Sequence, residues 1–150
     1  MAISFTIEET FDQPPELVFQ ALTDLDAMRV WMPNLIRLEK VTNGGVRVGT
    51  TFRETRKMFG KEATEHFEVT GYQPPKRLEL FVDGSKGASK RGEYRFVYEL
   101  RPSNGGTHLV LSGEIGGMGK VMELLGKLFV GPLRKAIAKD LEALKRHLQQ

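Results

Sequence analysis

Toward the end of the chain apolar side chains recur every three or four positions: Val121, Leu124, Leu125, Leu128, Phe129, Leu133, Ile137, Leu141, Leu144 and Leu148. This is the spacing of one helical face, sustained for about eight turns. A helix with so long an apolar stripe is stable only against a partner surface, so the rest of the chain has to supply one. Gly131-Pro132 interrupts the run. Proline removes a backbone hydrogen bond and clashes with the preceding turn, so a kink or break is expected near Val130.

The partner surface reads as sheet. Ile3, Phe5 and Ile7 alternate with Ser4, Thr6 and Glu8, the period of a half-buried strand running to Phe11. Asp12-Gln13-Pro14-Pro15 ends it, and Pro15 with Glu16 suits a helix start, predicting a short helix to Leu22. A second short helix begins at Asp24 or Asp26 and stops at Met32, before Pro33. Strands follow at Ile36–Val41, Thr50–Met58, Lys61–Tyr72, Arg77–Asp83, Arg91–Arg101 and Thr107–Gly113. They are separated by turn signals at Asn43-Gly44-Gly45, Phe59-Gly60, Pro74-Pro75, Gly84 to Lys90 and Ser103-Asn104-Gly105-Gly106. The expected fold is α+β: a curved seven-stranded antiparallel sheet around a long C-terminal helix, with two short helices after the first strand. Such a sheet can bury its apolar face with few helices only by curling around one of them. Because a sheet and a helix differ in surface shape, the space between them need not fill, and an apolar, ligand-sized cavity is expected.

Residues 1–150 read as one domain, since no repeat, linker or low-complexity segment divides them and the length is ordinary for a single core. The net charge is only +3, from 22 Lys and Arg against 19 Asp and Glu. Its local excess is Lys120, Lys127, Arg134, Lys135, Lys139, Lys145 and Arg146 against Glu123, Asp140 and Glu142. These fall mainly on the solvent side of the last helix, so no nucleic-acid partner is expected. There is no cysteine, which excludes disulfides, thiol nucleophiles and thiolate metal sites. His66, His108 and His147 lack metal-ligand spacing, so no metal and no cofactor are expected. The start of the chain shows no leader and no stretch is long enough to span a membrane, so a cytoplasmic protein without integral membrane association, monomeric or homodimeric, is expected.

The stretch Ile7-Glu8-Glu9-Thr10-Phe11-Asp12-Gln13-Pro14-Pro15-Glu16-Leu17-Val18-Phe19-Gln20-Ala21-Leu22-Thr23-Asp24 resembles the opening of the START-related SRPBCC superfamily, the polyketide cyclase/dehydrase and lipid-transport group. Trp31-Met32-Pro33, Gly49-Thr50, Gln73-Pro74-Pro75-Lys76-Arg77-Leu78 and Gly106-Thr107-His108-Leu109 also fall where that family places similar residues. The resemblance spans essentially the whole chain and rests on structural motifs. It implies a helix-grip fold and binding of hydrophobic molecules, in members that range from cyclases to lipid carriers and chaperone co-activators, with no shared catalytic set.

Strand parity puts Tyr94, Phe96, Tyr98 and Leu100 on one face, and likewise Phe67 with Val69, Leu109 with Leu111, and Phe5 with Ile7. Each is either core or cavity wall. Tyr94 and Tyr98 stand out because a buried hydroxyl needs a partner that a ligand oxygen can supply. Met118, Met122, Leu125, Phe129 and Leu133 form the expected opposite wall, where methionine suits variable ligands. Trp31 is either a rim anchor or simple packing. Glu65 shares a face with Phe67, and Glu54 one with Phe52. If those faces point inward, desolvation raises both carboxyl pKa values and suits them, with Tyr98, to proton transfer. A register slip of one residue would return either to water, and Arg53 or Arg56 would neutralise them.

Gly84-Ser85-Lys86-Gly87-Ala88-Ser89-Lys90 lacks phosphate-loop spacing and reads as a mobile loop near the cavity mouth. Ser112 and the other serines have no adjacent base, so a nucleophilic triad has no support. Three functions fit: a binding or carrier protein for a small hydrophobic ligand such as a lipid, isoprenoid, quinone or polyketide; a cyclase/dehydrase-type enzyme; and an interaction module like the Hsp90-ATPase activators. The first is favoured, because the apolar wall is well supported and a catalytic constellation is not. The third would require an exposed apolar patch with a filled core.

Overall fold

The alternation at the start of the chain becomes strand β1 (Ile3–Phe11), which buries Phe5, Ile7 and Phe11 and exposes Ser4, Thr6 and Glu8. The structure, a computed structural model, describes residues 3–58 and 60–150; for Val121, Met122, Glu123, Lys127 and Phe129 only the backbone is described. Helix α1 (Pro15–Thr23) opens with proline in its first turn, where no N–H is missed, and buries Val18, Phe19, Ala21 and Leu22. Helix α2 (Leu25–Trp31) is capped by Asp24, whose Oδ1 accepts from the amides of Asp26 and Ala27 at 2.9 and 3.2 Å. Strands β2 (Leu35–Lys40), β3 (Thr51–Met58), β4 (Lys61–Gln73), β5 (Arg77–Asp83), β6 (Glu93–Ser103) and β7 (Gly106–Gly116) follow.

All neighbours are antiparallel, in the order β1-β7-β6-β5-β4-β3-β2, giving one curved sheet of seven strands. Strands β1 and β2, joined through α1 and α2, lie on opposite edges. The β6–β7 hairpin closes at Asn104-Gly105, both with positive φ (51° and 81°), a turn whose twist matches that of the strands. A bulge between Val69 and Gly71 shifts the parity of β4, so Val69 is buried while Tyr72 reaches Phe19, ring centroids 5.5 Å apart.

Helix α3 (Lys120–Leu148) lies in the grip of this sheet. Arg134 Nε donates to the Thr6 carbonyl at 3.1 Å, Lys145 pairs with Glu9 at 3.2 Å, and Gln13 Nε2 donates to the Leu148 carbonyl at 2.9 Å. Part of the basic excess therefore fastens the helix to β1 instead of forming a purely solvated face. Leu141 and Leu144 are buried with Leu109 and Leu111 in the main core.

The structure corrects four expectations. The expected tight turn at Asn43-Gly44-Gly45 is a longer connection, residues 41–50, held by its own contacts: Arg47 donates to the Asn43 and Gly45 carbonyls and Thr50 Oγ1 accepts from the Arg47 amide. Of the kink or break expected near Val130, the break is absent: α3 runs on through Gly131 and Pro132, both exposed. The apolar stripe is not continuous on the inner face. Gly126 is where α3 meets Ile3, a Cβ there lying 2.6 Å from Ile3 Cδ1, and positions two residues away point about 200° around the helix. Leu124 and Leu128 are accordingly exposed, and Leu125 is 43% exposed. Finally Asp140, grouped in sequence with the solvent-side charges, sits on the inner face with Leu133, Ile137 and Leu144, at spacings of three and four. The turn expected at Phe59-Gly60 falls partly outside the described residues, although Gly60 has the positive φ such a turn needs (81°).

Candidate functional site

Between the sheet and α3 lies a cavity of ≈ 510 Å³, within the range of about 300–1,000 Å³ that encloses one drug-sized molecule. Its sheet wall comes from inward positions of β3 to β6. Phe52 and Phe67 stack there with centroids 5.0 Å apart and planes 8° apart, and Leu80, Val82, Phe96 and Tyr98 continue the surface. The helix supplies Val130, Leu133, Ala136, Ile137 and Leu141 opposite, and Trp31 with Met28 closes the α2 end. Trp31 Nε1 donates to the Ala21 carbonyl at 3.1 Å, which leaves its ring as an apolar face.

The structure brings Trp31, Phe52, Glu54, Glu65, Phe67, Tyr94, Phe96, Tyr98, Met118 and Leu133 to this one cavity. It does not bring Leu109, Leu111 or Leu125 there. Leu109 pairs with Glu9, which reaches Lys145; at this level the strands lie under the last turns of α3, where Leu141 and Leu144 fill the space. Leu125 points outward. The side chains of Met122 and Phe129 lie outside the described residues.

The polar groups of the cavity form two clusters. In the first, Arg56 makes a bidentate ion pair with Asp140, at 2.6 and 2.8 Å, across the gap between β3 and α3. The same guanidinium donates to the Pro33 carbonyl at 2.8 Å and lies 3.7 Å from Glu54 Oε1. Burial alone would lower the Arg56 pKa, and the hydrogen bond and charge of Asp140 more than reverse that. Glu54, 9% exposed, is aimed into the cavity, and burial pushes its carboxyl up to about 7 against the pull of Arg56. The Tyr98 phenol is also pushed up, by burial and then by the charges of Asp140 and Glu54, so it remains a proton donor throughout the neutral range. Among the described residues no side chain hydrogen-bonds the Glu54 carboxyl or the Tyr98 hydroxyl.

The second cluster closes the loop after β5. Glu65, opposite Glu54 in the β3–β4 register, accepts from the Ser89 amide and hydroxyl at 3.2 and 2.7 Å, and Tyr94 donates to Ser89 Oγ at 3.0 Å. The Ala88 amide donates to the Thr64 carbonyl at 2.9 Å. The segment expected as a mobile loop is therefore tied onto β4. Gly87 is required there, because a Cβ would stand 2.3 Å from Glu65 Oε2 and 2.7 Å from the Thr64 carbonyl oxygen.

Sequence reasoning named Arg56 as a charge that would neutralise the carboxylates but missed its partner Asp140, and it missed Ser89. Parity puts Arg56 on the face of Glu54, and the helical wheel puts Asp140 within the apolar stripe; a charged residue on an apolar face was the signal for both. Ser89 had none, because a loop's fold is not written in a period.

A family model described as polyketide cyclase/dehydrase and lipid transport matches residues 2–149. No curated protein sequence matches the chain. Among solved structures, Ara h 8.0201 superposes with a TM-score of 0.80 at 16% identity, covering 99% of both chains. TTHA0849 from Thermus thermophilus gives 0.70 at 22% identity over 95% of this chain and 91% of its own. DynU16, from the dynemicin biosynthetic locus, gives 0.71 at 18% identity over 98% of this chain and 47% of its own. At these identities the likeness is one of fold, the helix grip, and the family model supplies the kinship. The chain therefore belongs to the polyketide cyclase/dehydrase and lipid transport family of the SRPBCC superfamily.

Proposed function

We propose that the protein binds one small hydrophobic molecule, of the size of an isoprenoid, quinone, polyketide or single-chain lipid, inside the cavity beneath α3. The observation that carries this reading is the ≈ 510 Å³ space walled by aromatic and aliphatic side chains, with its polar groups gathered at defined points. A space of this size and lining matches one drug-sized hydrophobic molecule. It also argues against the interaction-module reading, which requires a filled core. Native mass spectrometry after gentle purification is expected to show a bound small-molecule mass; a protein of bare mass that also fails to take up added hydrophobic probes would overturn the proposal.

One observation favours an enzymatic version of the same site. A buried carboxyl with a pKa of about 7 beside an unpaired tyrosine hydroxyl is suited to moving a proton at neutral pH. Glu54 is the better candidate than Glu65, whose Oε1 is engaged by Ser89. Bound 2-acetylanthracene would then exchange its methyl protons with D2O faster than the free ketone, and Glu54→Gln would abolish the acceleration. Equal exchange with and without protein would leave binding as the whole function.

A further inference from the structure

We infer that the cavity selects hydrophobic molecules whose polar end is a neutral oxygen, a carbonyl or hydroxyl seated against Glu54 and Tyr98, and rejects those ending in a carboxylate or phosphate. This rests on the proposed binding function and narrows it to a ligand class. Among the described residues, the charged side chains lining the cavity are Glu54, Glu65 and Asp140 against the single Arg56. Three acids facing one base give an interior that repels anions.

The one cation is also committed. Both terminal nitrogens of Arg56 are engaged, one with Asp140 and Glu54 and the other with Asp140 and the Pro33 carbonyl. Its Nε is sealed from the cavity and has no partner. An incoming carboxylate would have to displace Asp140 from a bidentate contact at 2.6 and 2.8 Å, or approach Glu54 with like charge. An ammonium end meets the opposite obstacle, since the place beside Glu54 is already occupied by the Arg56 guanidinium at 3.7 Å.

What the site leaves open is the buried Glu54 carboxyl and the half-buried Tyr98 phenol, both lining the cavity and both without a side-chain hydrogen-bond partner among the described residues. Polar groups held in an apolar wall gain from a partner, so this couple is the feature a ligand would satisfy. Tyr98 donates, while Glu54 donates when protonated and accepts when ionised. The groups facing Glu54 are Arg56 on its own strand, Glu65 on β4, Tyr98 on β6 and Asp140 on α3. Of the four, only Arg56 draws the carboxyl toward ionisation. A carbonyl ligand is therefore held more tightly at the acidic side of neutrality, where both groups donate.

Three probes of one shape test this: 2-acetylanthracene, anthracene-2-carboxylate and 2-(aminomethyl)anthracene, titrated by intrinsic fluorescence at pH 6 and pH 8. The ketone is expected to bind at least tenfold more tightly than either charged probe, and several-fold more tightly at pH 6 than at pH 8. Glu54→Gln should remove that pH dependence, and Asp140→Asn should strengthen carboxylate binding by freeing Arg56. Binding of all three probes with the carboxylate or amine equal to or better than the ketone overturns this selectivity while leaving a binding cavity intact. Failure of every probe to bind overturns the cavity reading itself.

Discussion

Replacing Glu54 by glutamine should make the protein more stable at neutral and alkaline pH, by an amount set by its burial. Its carboxyl rises from an ordinary 4.5 to about 7 in the folded state. At about 1.4 kcal/mol per pH unit this corresponds to a folding penalty of about 3 kcal/mol once the group must ionise. Because the folded pKa is the higher one, the folded state holds the proton that the unfolded state has already released. Stability is then fully present below about pH 4.5 and is lost as pH rises through about 7. Between pH 5 and pH 8 the loss attributable to this group is about 2.5 kcal/mol. Urea unfolding of wild type and Glu54→Gln across that range reads it directly, and the difference between the two curves cancels every other titration. The variant should gain on wild type by about 2.5 kcal/mol, or roughly 5–10 °C in Tm for a chain of this length. A constant offset from pH 5 to pH 8 would show that Glu54 ionises normally and that the cavity is wet, and the proposed selectivity for a neutral polar end would fall with it.

Breaking the Arg56–Asp140 pair with Asp140→Ala should cost about 3 kcal/mol, because the guanidinium stays in place without its counter-charge; the double replacement Arg56→Met, Asp140→Leu should recover most of it in the same urea titration. Pro132→Ala should raise stability by up to about 3 kcal/mol, since the residue is exposed and sits inside a continuous helix where it cannot donate a backbone hydrogen bond, and an unchanged melting temperature would contradict that. Gly113→Ala should destabilise by about 1–3 kcal/mol, because its Cβ would lie 2.2 Å from Phe5 Cζ; a fully stable variant would mean that Phe5 can move aside.

The sequence read most clearly where one period governs many residues. Alternation in β1 and β6 placed Phe5, Ile7, Tyr94, Phe96 and Tyr98 correctly, because a sheet with one buried face leaves strand parity no freedom. The apolar stripe located α3 but overstated its inner face. Periodicity marks which residues share a side, and only the contact at Gly126 and Ile3 reveals that the first turns present Leu124 and Leu128 outward. The carboxylates were legible as a pair and Arg56 as a neutralising charge beside them; Asp140 was not, since it lies 84 residues from Arg56 and no local pattern encodes so distant a contact. The loop after β5 was read from composition as mobile, whereas two side chains from other strands, Glu65 and Tyr94, hold it in place.

The central claim is that a hydrophobic molecule enters the space between sheet and helix. Intermolecular NOEs between 2-acetylanthracene and a methyl-labelled protein report this most directly. Contacts are expected to the methyl groups of Leu80, Val82 and Ile137, which face one another across the cavity. Contacts confined to Leu124 and Leu128, the exposed outer side of α3, or none at all, would contradict it.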